Sequence, residues 1–259
     1  MPFFNFKEKN IHYNTEGSGE VVVLLHGFLE NGSMWDEFAL DIAKTHQVIQ
    51  LDLPGFGNSD CIQATRSMQL FAECTKYLLS ELKIDSFIII GHSMGGYVAL
   101  ELAKICPKKI KTFILFHSTA SSDSEQKKKH RARAVKAVNK KQSVYLKTTI
   151  PLLFPLQFKK ACAPKIKKMI VEAEELNPIG ITAALTGMQE RDNNNETLSN
   201  LSCKKIYIAG TLDPLLSIEL LEEEAKNNGA DFIEIENAGH MSHWENTKMA
   251  LKEIQKALY

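Results

Sequence analysis

Net charge is the first thing this sequence lacks. Its 259 residues carry 31 Lys+Arg against 31 Asp+Glu, so no overall field draws the molecule to nucleic acid or to an anionic membrane. No apolar run approaches the length that spans a bilayer. The opening Met1-Pro2-Phe3-Phe4-Asn5-Phe6-Lys7 has no basic-then-apolar order of a secretory signal. Five cysteines (Cys61, Cys74, Cys106, Cys162 and Cys203) are odd in number, scattered, and form no C-x-x-C pair. That argues against a disulfide framework and suits reduced thiols. The histidines and cysteines fall at no zinc spacing such as H-E-x-x-H, and there is no internal repeat. These absences predict a soluble, cytoplasmic protein with no metal, no cofactor, no nucleic-acid partner and no stable membrane insertion. At 44% hydrophobic, the chain can bury one substantial core, carrying an insertion at most. Oligomeric state is not legible.

What is present centres on Gly91-His92-Ser93-Met94-Gly95, a G-x-S-x-G pentapeptide. The apolar run Phe87-Ile90 before it reads as a buried strand, and Tyr97-Ala103 after it reads as a helix. A serine on so tight a corner has strained backbone angles, and the flanking glycines avoid clashes across the turn. Its hydroxyl then stands above the sheet beside a helix N-terminus, where backbone N–H groups face developing negative charge. The G-x-G-x-x-G register of a dinucleotide site is absent, and no phosphate-loop lysine follows.

Other strand candidates are Phe3-Phe6, Ile11-Asn14, Val21-Leu25, Gln47-Leu51, Thr112-Phe116, Ile206-Ala209 and Phe232-Ile235. Helix-like segments lie between them, at Trp35-Ala43, Ser67-Leu82, Met94-Ile105, Ile218-Asn227 and Lys248-Leu258. Strands alternating with helices predict an α/β fold: a mainly parallel sheet of about eight strands with helices on both faces. The alternation breaks once, from Ser118 to about Arg191, where the sequence is helical and punctuated by prolines. Residues 1–118 and 191–259 therefore read as the core domain, and 119–190 as an inserted helical cap.

A serine hydroxyl needs a base within hydrogen-bond reach and an acid to orient that base. Asp213 directly follows the strand Ile206-Ala209, and His240 directly follows the last strand. Both share the carboxyl rim of the sheet with Ser93. His243, His117, His26 and His92 are rival histidines, and position after the final strand favours His240. Two backbone N–H groups, of Phe28 in the loop after Val21-Leu25 and of Met94, are the expected oxyanion donors.

These residues resemble the α/β-hydrolase superfamily, in its serine-nucleophile, capped, esterase-like branch. The resemblance runs over nearly the whole chain: H-G-F at 26–28, L-D-L-P-G-F-G-N-S-D at 51–60, G-H-S-M-G-G at 91–96, G-T-L-D-P at 210–214 and A-G-H at 238–240. It implies Ser93, Asp213 and His240 as a catalytic triad, and a structural role for the loop at 52–57. It implies hydrolysis of a carboxylic ester or related acyl bond of a small, largely apolar substrate. Carbon–carbon bond hydrolases and cofactor-free perhydrolases or haloperoxidases carry the same triad, and a ligand receptor on this fold without turnover is the alternative of another class. Dehalogenases and epoxide hydrolases are disfavoured, since there the resemblance expects Asp where this chain has Ser93.

The cap departs from the neutral average. Residues 119–190 hold fourteen Lys/Arg against six acids, a net of +8, with no acid between Gln126 and Lys141. A solvated basic helix is the plain reading, and attraction of an anionic substrate or acidic carrier is the sharper one. Leu29, His117, Phe154, Phe158, Leu215 and Met241 are the candidate substrate-binding residues. The cap aromatics are expected on short bent segments, because Pro151 and Pro155 block a long helix.

Overall fold

The computed structural model describes residues 2–62 and 67–258. Among them, eight strands join in one sheet: β1 (Phe3–Phe6), β2 (Lys9–Gly17), β3 (Glu20–Leu25), β4 (His46–Leu51), β5 (Phe87–His92), β6 (Ile110–Phe116), β7 (Lys204–Gly210) and β8 (Asp231–Ile235). Their spatial order is β1-β2-β4-β3-β5-β6-β7-β8. The β1/β2 and β2/β4 pairs are antiparallel, and every other pair is parallel. The helices are α1 (Asp36–Ile42), α2 (Ser67–Glu81), α3 (Met94–Ile105), α4 (Glu125–Thr149), α5 (Ala163–Glu174), α6 (Pro178–Glu190), α7 (Asn195–Ser199), α8 (Ile218–Asn227), α9 (Ser242–Glu245) and α10 (Thr247–Leu258).

The central strands are apolar without alternation because both of their faces are covered. Successive side chains still point to opposite sides. Val22, Leu24, Ile88, Ile90 and Ile114 pack with Phe38 of α1 and Ile254 of α10. Val23, Leu25, Ile89, Phe113 and Leu115 pack on the other side with α2 and α3. Trp35, expected to open the first helix, instead ends a 3-10 turn, Gly32–Trp35, whose N-cap is the Asn31 side chain accepting from Ser33 N–H. The second strand also runs longer than expected, since pairing with β4 extends it to Gly17.

Between β6 and β7 lie α4 to α7 and two 3-10 turns, Ile150–Leu153 and Leu156–Phe158, with no strand. The turns sit at Pro151 and Pro155, where proline ends the preceding helix. Helix α4 is interrupted at Lys141, whose backbone leaves the helical region (φ −164°, ψ 88°). Helix α6 packs on both α4 and α2, which joins this layer to one face of the sheet. Among the described residues no helix is long and apolar enough to cross a membrane.

Candidate active site

Ser93 lies between β5 and α3 with φ 50° and ψ −112°, a left-handed setting that costs a non-glycine residue on the order of 1–3 kcal/mol. The corner is held on three sides. Ser93 N–H donates to the Phe116 carbonyl at 3.0 Å, and the Ser93 carbonyl accepts from Gly96 N–H at 3.0 Å and from Ser118 Oγ at 2.7 Å. The glycines are there for space: a Cβ on Gly91 would meet the Gly95 carbonyl carbon at 2.5 Å, and one on Gly95 would meet Leu25 backbone.

The loops after β7 and β8 bring Asp213 and His240 to the same rim. His240 Nδ1–H donates to Asp213 Oδ2 at 2.8 Å, which leaves Nε2 to accept from Ser93 Oγ–H at 2.9 Å. Asp213 is itself fixed, since its Oδ1 accepts the N–H groups of Leu215 (2.8 Å) and Leu216 (3.1 Å). Burial alone would raise the carboxyl, but the His240 and His117 contacts outweigh it and hold Asp213 well below the usual carboxylate range. An arrangement of this kind can draw a proton from the serine hydroxyl and stabilise the imidazolium that results.

His117, expected to line the substrate pocket, does not reach it. It is fully buried behind the rim, with φ 49°, donating from Nδ1 to Asp213 Oδ2 (3.1 Å) and accepting at Nε2 from Ser242 Oγ (2.6 Å). Burial lowers its pKa to about 4, so it is a neutral second imidazole on the same carboxylate. A strand-end histidine gave no sequence signal for this role.

Two other histidines and a glutamate form a floor that motif reasoning missed. Glu30 Oε2 accepts from Gly27 N–H (2.7 Å) and from His92 Nδ1 (2.8 Å), while His92 Nε2 donates to the His240 carbonyl (3.0 Å). Both ring nitrogens of His92 therefore face acceptors, which an imidazolium satisfies fully. Burial opposes that charge, but Glu30 outweighs it, and the net shift of His92 is upward. Glu30 is held well below its ordinary value, burial again being outweighed, here by His92 and His243. His243, 3.5 Å from Glu30 Oε1, is lowered to about 4, chiefly by burial. This floor ties the Gly27 loop to the loop that carries His240. His26 is structural as well: its Nδ1–H donates to the Gly27 carbonyl, and its Nε2 accepts from Leu53 N–H.

Above Ser93 opens a cavity of about 560 Å³. Phe28, Leu29, Leu215 and Met241 line it as expected, joined by Leu153 and Leu185. Met94 is the first residue of α3, so its N–H has no acceptor one helical turn back. Phe154 and Phe158 lie outside the cavity, contrary to expectation. The chain becomes extended at Phe154 (φ −107°, ψ 129°), directly after the 3-10 turn, and its ring stacks on Trp244 at 6.2 Å with 6° between planes. Phe158 packs, half-buried, against the core cluster on the α2/α3 side of the sheet. The donor atoms of His117, Asp213 and His240 lie within 4.8 Å of one another, close enough to hold a metal ion. In this arrangement the two imidazoles both spend their Nδ1 protons on Asp213.

A serine corner on the carboxyl rim of a parallel sheet, with this strand order, defines the α/β hydrolases. The chain belongs to that family: the profile of the alpha/beta hydrolase fold matches residues 20–247. Among curated relatives, the (E)-2-((N-methylformamido)methylene)succinate hydrolase of Acinetobacter baylyi is 26% identical, over 90% of this chain and 88% of its own. The pimeloyl-[acyl-carrier protein] methyl ester esterase of Pseudoalteromonas atlantica is 28% identical over 92% and 95%. A 2-hydroxy-6-oxononadienedioate/2-hydroxy-6-oxononatrienedioate hydrolase of Pseudomonas putida is 38% identical, over 41% of this chain and 39% of its own. Among solved structures, a thermophilic esterase from Thermogutta terrifontis, malate bound, superposes with a TM-score of 0.90 at 28% identity, covering 96% of this chain and 93% of that one.

Proposed function

We propose that the protein is a serine hydrolase that cleaves a carboxylic ester or related acyl bond of a small, largely apolar substrate. His240 takes the Ser93 proton as Ser93 attacks the carbonyl carbon. The Phe28 and Met94 N–H groups hold the oxyanion, and Asp213 fixes the imidazole tautomer and stabilises its cation. His240 returns the proton to the leaving alcohol, and water activated by the same imidazole then releases the acid from the acyl-enzyme. The helices between β6 and β7 act as the cap that keeps water from the cleft. The observation that carries this reading is the unbroken path from Ser93 Oγ to His240 Nε2 (2.9 Å) and from His240 Nδ1 to Asp213 (2.8 Å). The esterases among its relatives and structural neighbours support it.

The test is labelling by a fluorophosphonate beside a panel of aryl esters. Labelling and turnover that vanish together in Ser93→Ala support the reading, whereas an unlabelled, inactive wild type sinks it in favour of a non-turnover receptor. A second reading is hydrolysis of a carbon–carbon bond by the same serine. It draws on the 38% identity shared with the oxononadienedioate hydrolase over their 112-residue match. A labelled enzyme that ignores every ester but cleaves a vinylogous diketone favours this second reading.

A further inference from the structure

The basic cap sequence divides once it is folded. On α4, residues 127, 130, 131 and 134 all line the cavity above Ser93, the spacing of one helical stripe. Lys128, Lys129, Arg133, Lys136 and Lys140 do not line it. Three of the four inward residues are basic: Lys127, His130 and Arg131. The one acid on the cavity wall is Glu30, and it is already engaged by Gly27 N–H and His92. A cavity that is apolar beside the serine thus has cationic side chains on one wall and no free carboxylate to balance them.

Arg131 is a fixed part of that wall. Its guanidinium pairs with Asp123, which also accepts from Arg191 Nη1 at 2.7 Å, so two guanidiniums share one buried carboxylate. Arg191 in turn lies 3.9 Å over the ring of Tyr97, another cavity residue. Lys127 and His130 make no ion pair among the described residues, whereas Lys128, Lys147 and Lys165 elsewhere in the same segment have Glu125, Glu174 and Glu37. Lys127 also stands where the apolar cavity meets a polar cleft of about 680 Å³ lined with Ser, Thr and Asn side chains.

We infer that the substrate carries a carboxylate at the end remote from its scissile bond, and that Lys127 and His130 select for it. This rests on the serine-hydrolase reading above and names the substrate class for that site. The guanidinium fork of Arg131 is occupied by Asp123, so what remains free is an ammonium and an imidazole N–H. A single carboxylate matches those donors; a doubly charged phosphate would want the fork.

Matched aryl esters test it: p-nitrophenyl hexanoate against mono-p-nitrophenyl adipate, with shorter and longer pairs of the same kind. The readout is the ratio of kcat/KM for the acid-ended ester to that for the neutral one. The ratio is expected to exceed one by about tenfold at low salt and to shrink as salt is added. Lys127→Glu is expected to lower the ratio by about tenfold or more, and His130→Gln by less. Lys136→Glu, a charge reversal of the same helix away from the cavity, leaves it unchanged. A ratio that Lys127→Glu does not move overturns the proposal while the esterase reading stands. If no ester is turned over, calorimetric binding of adipate to Ser93→Ala and to Ser93→Ala/Lys127→Glu decides it independently. Weaker binding to the double variant supports the carboxylate site, and equal or absent binding to both overturns it.

Discussion

The rim of the sheet and the helices between β6 and β7 differ in how residue identity relates to position. On the rim, backbone geometry dictates the residue. Only glycine fits at 91 and 95, the left-handed corner presents Ser93, and each polar atom around it has a named partner. In the β6–β7 helices several residues would fill the same space, and packing decides which way each one points. Leu153 faces the cavity, while its neighbour Phe154 turns onto Trp244. The rim is over-determined and the helical layer is not, so substitutions in the two regions should fail in different ways.

The largest effect belongs to the rim. Ser93→Ala should remove turnover of a short aryl ester by a factor on the order of 10⁶ with little change in the unfolding transition. Residual turnover near the wild-type level would mean that the chemistry does not pass through the corner. Phe154→Ala should do the opposite. Its ring is 2% exposed, and truncating a buried Phe costs about 3–5 kcal/mol. Denaturant unfolding reads that loss, while the acyl-length preference of the surviving enzyme stays put. A shifted preference with unchanged stability would return Phe154 to the cavity.

That contrast also explains what could be seen in the sequence. The parallel sheet, the serine corner and the placing of Asp213 and His240 after β7 and β8 were legible because each is a local pattern at a strand end. The inward stripe of α4 was legible only as excess charge, since helical phase alone does not say which face meets the cleft. Glu30, His92 and His117 were not legible as a network. Their partners lie 62, 148 and 96 residues away, and no spacing rule joins a loop glutamate to a strand-end histidine. The misplacing of Phe154 and Phe158 has the same origin: an apolar residue beside a proline does not declare which surface it will cover.

The hidden network has its own pH signature. His117 has a folded-state pKa of about 4 against an ordinary 6.5, through burial. A depressed folded-state value means that the stability linked to this group is complete above the unfolded pKa. It is lost as pH falls from about 6.5 toward 4, and a shift of this size corresponds to about 3 kcal/mol in full. His117→Gln removes that proton uptake. The variant should be less stable near neutrality, where it loses the Asp213 contact, yet lose less on acidification than the wild type does. Unfolding free energies at about pH 7 and about pH 4.5 measure the difference. His243, also lowered to about 4, and Glu245, raised to about 7 mainly by burial and acting in the opposite sense, contribute alike to both proteins. Parallel pH curves for the two would remove His117 from the account.

The smallest effect returns to the helical layer and to the side chain that does face the cleft. Leu153 is half-buried against the core and lines the cavity, so Leu153→Ala enlarges the space above Ser93 instead of leaving a void sealed in the core. A methylene in an apolar binding pocket is worth about 1–3 kcal/mol, and a partly exposed wall should sit at the low end. Acyl preference should therefore move toward longer chains by about threefold to tenfold, read as kcat/KM along a series of straight-chain aryl esters. Phe158→Ala, a change to a larger side chain in the same proline-bent stretch, should leave that series unmoved because the ring never reaches the cleft. If Phe158→Ala shifts the series and Leu153→Ala does not, the substrate enters on the other side of the proline turns, and the wall assigned to Leu153 and Lys127 is not the one it meets.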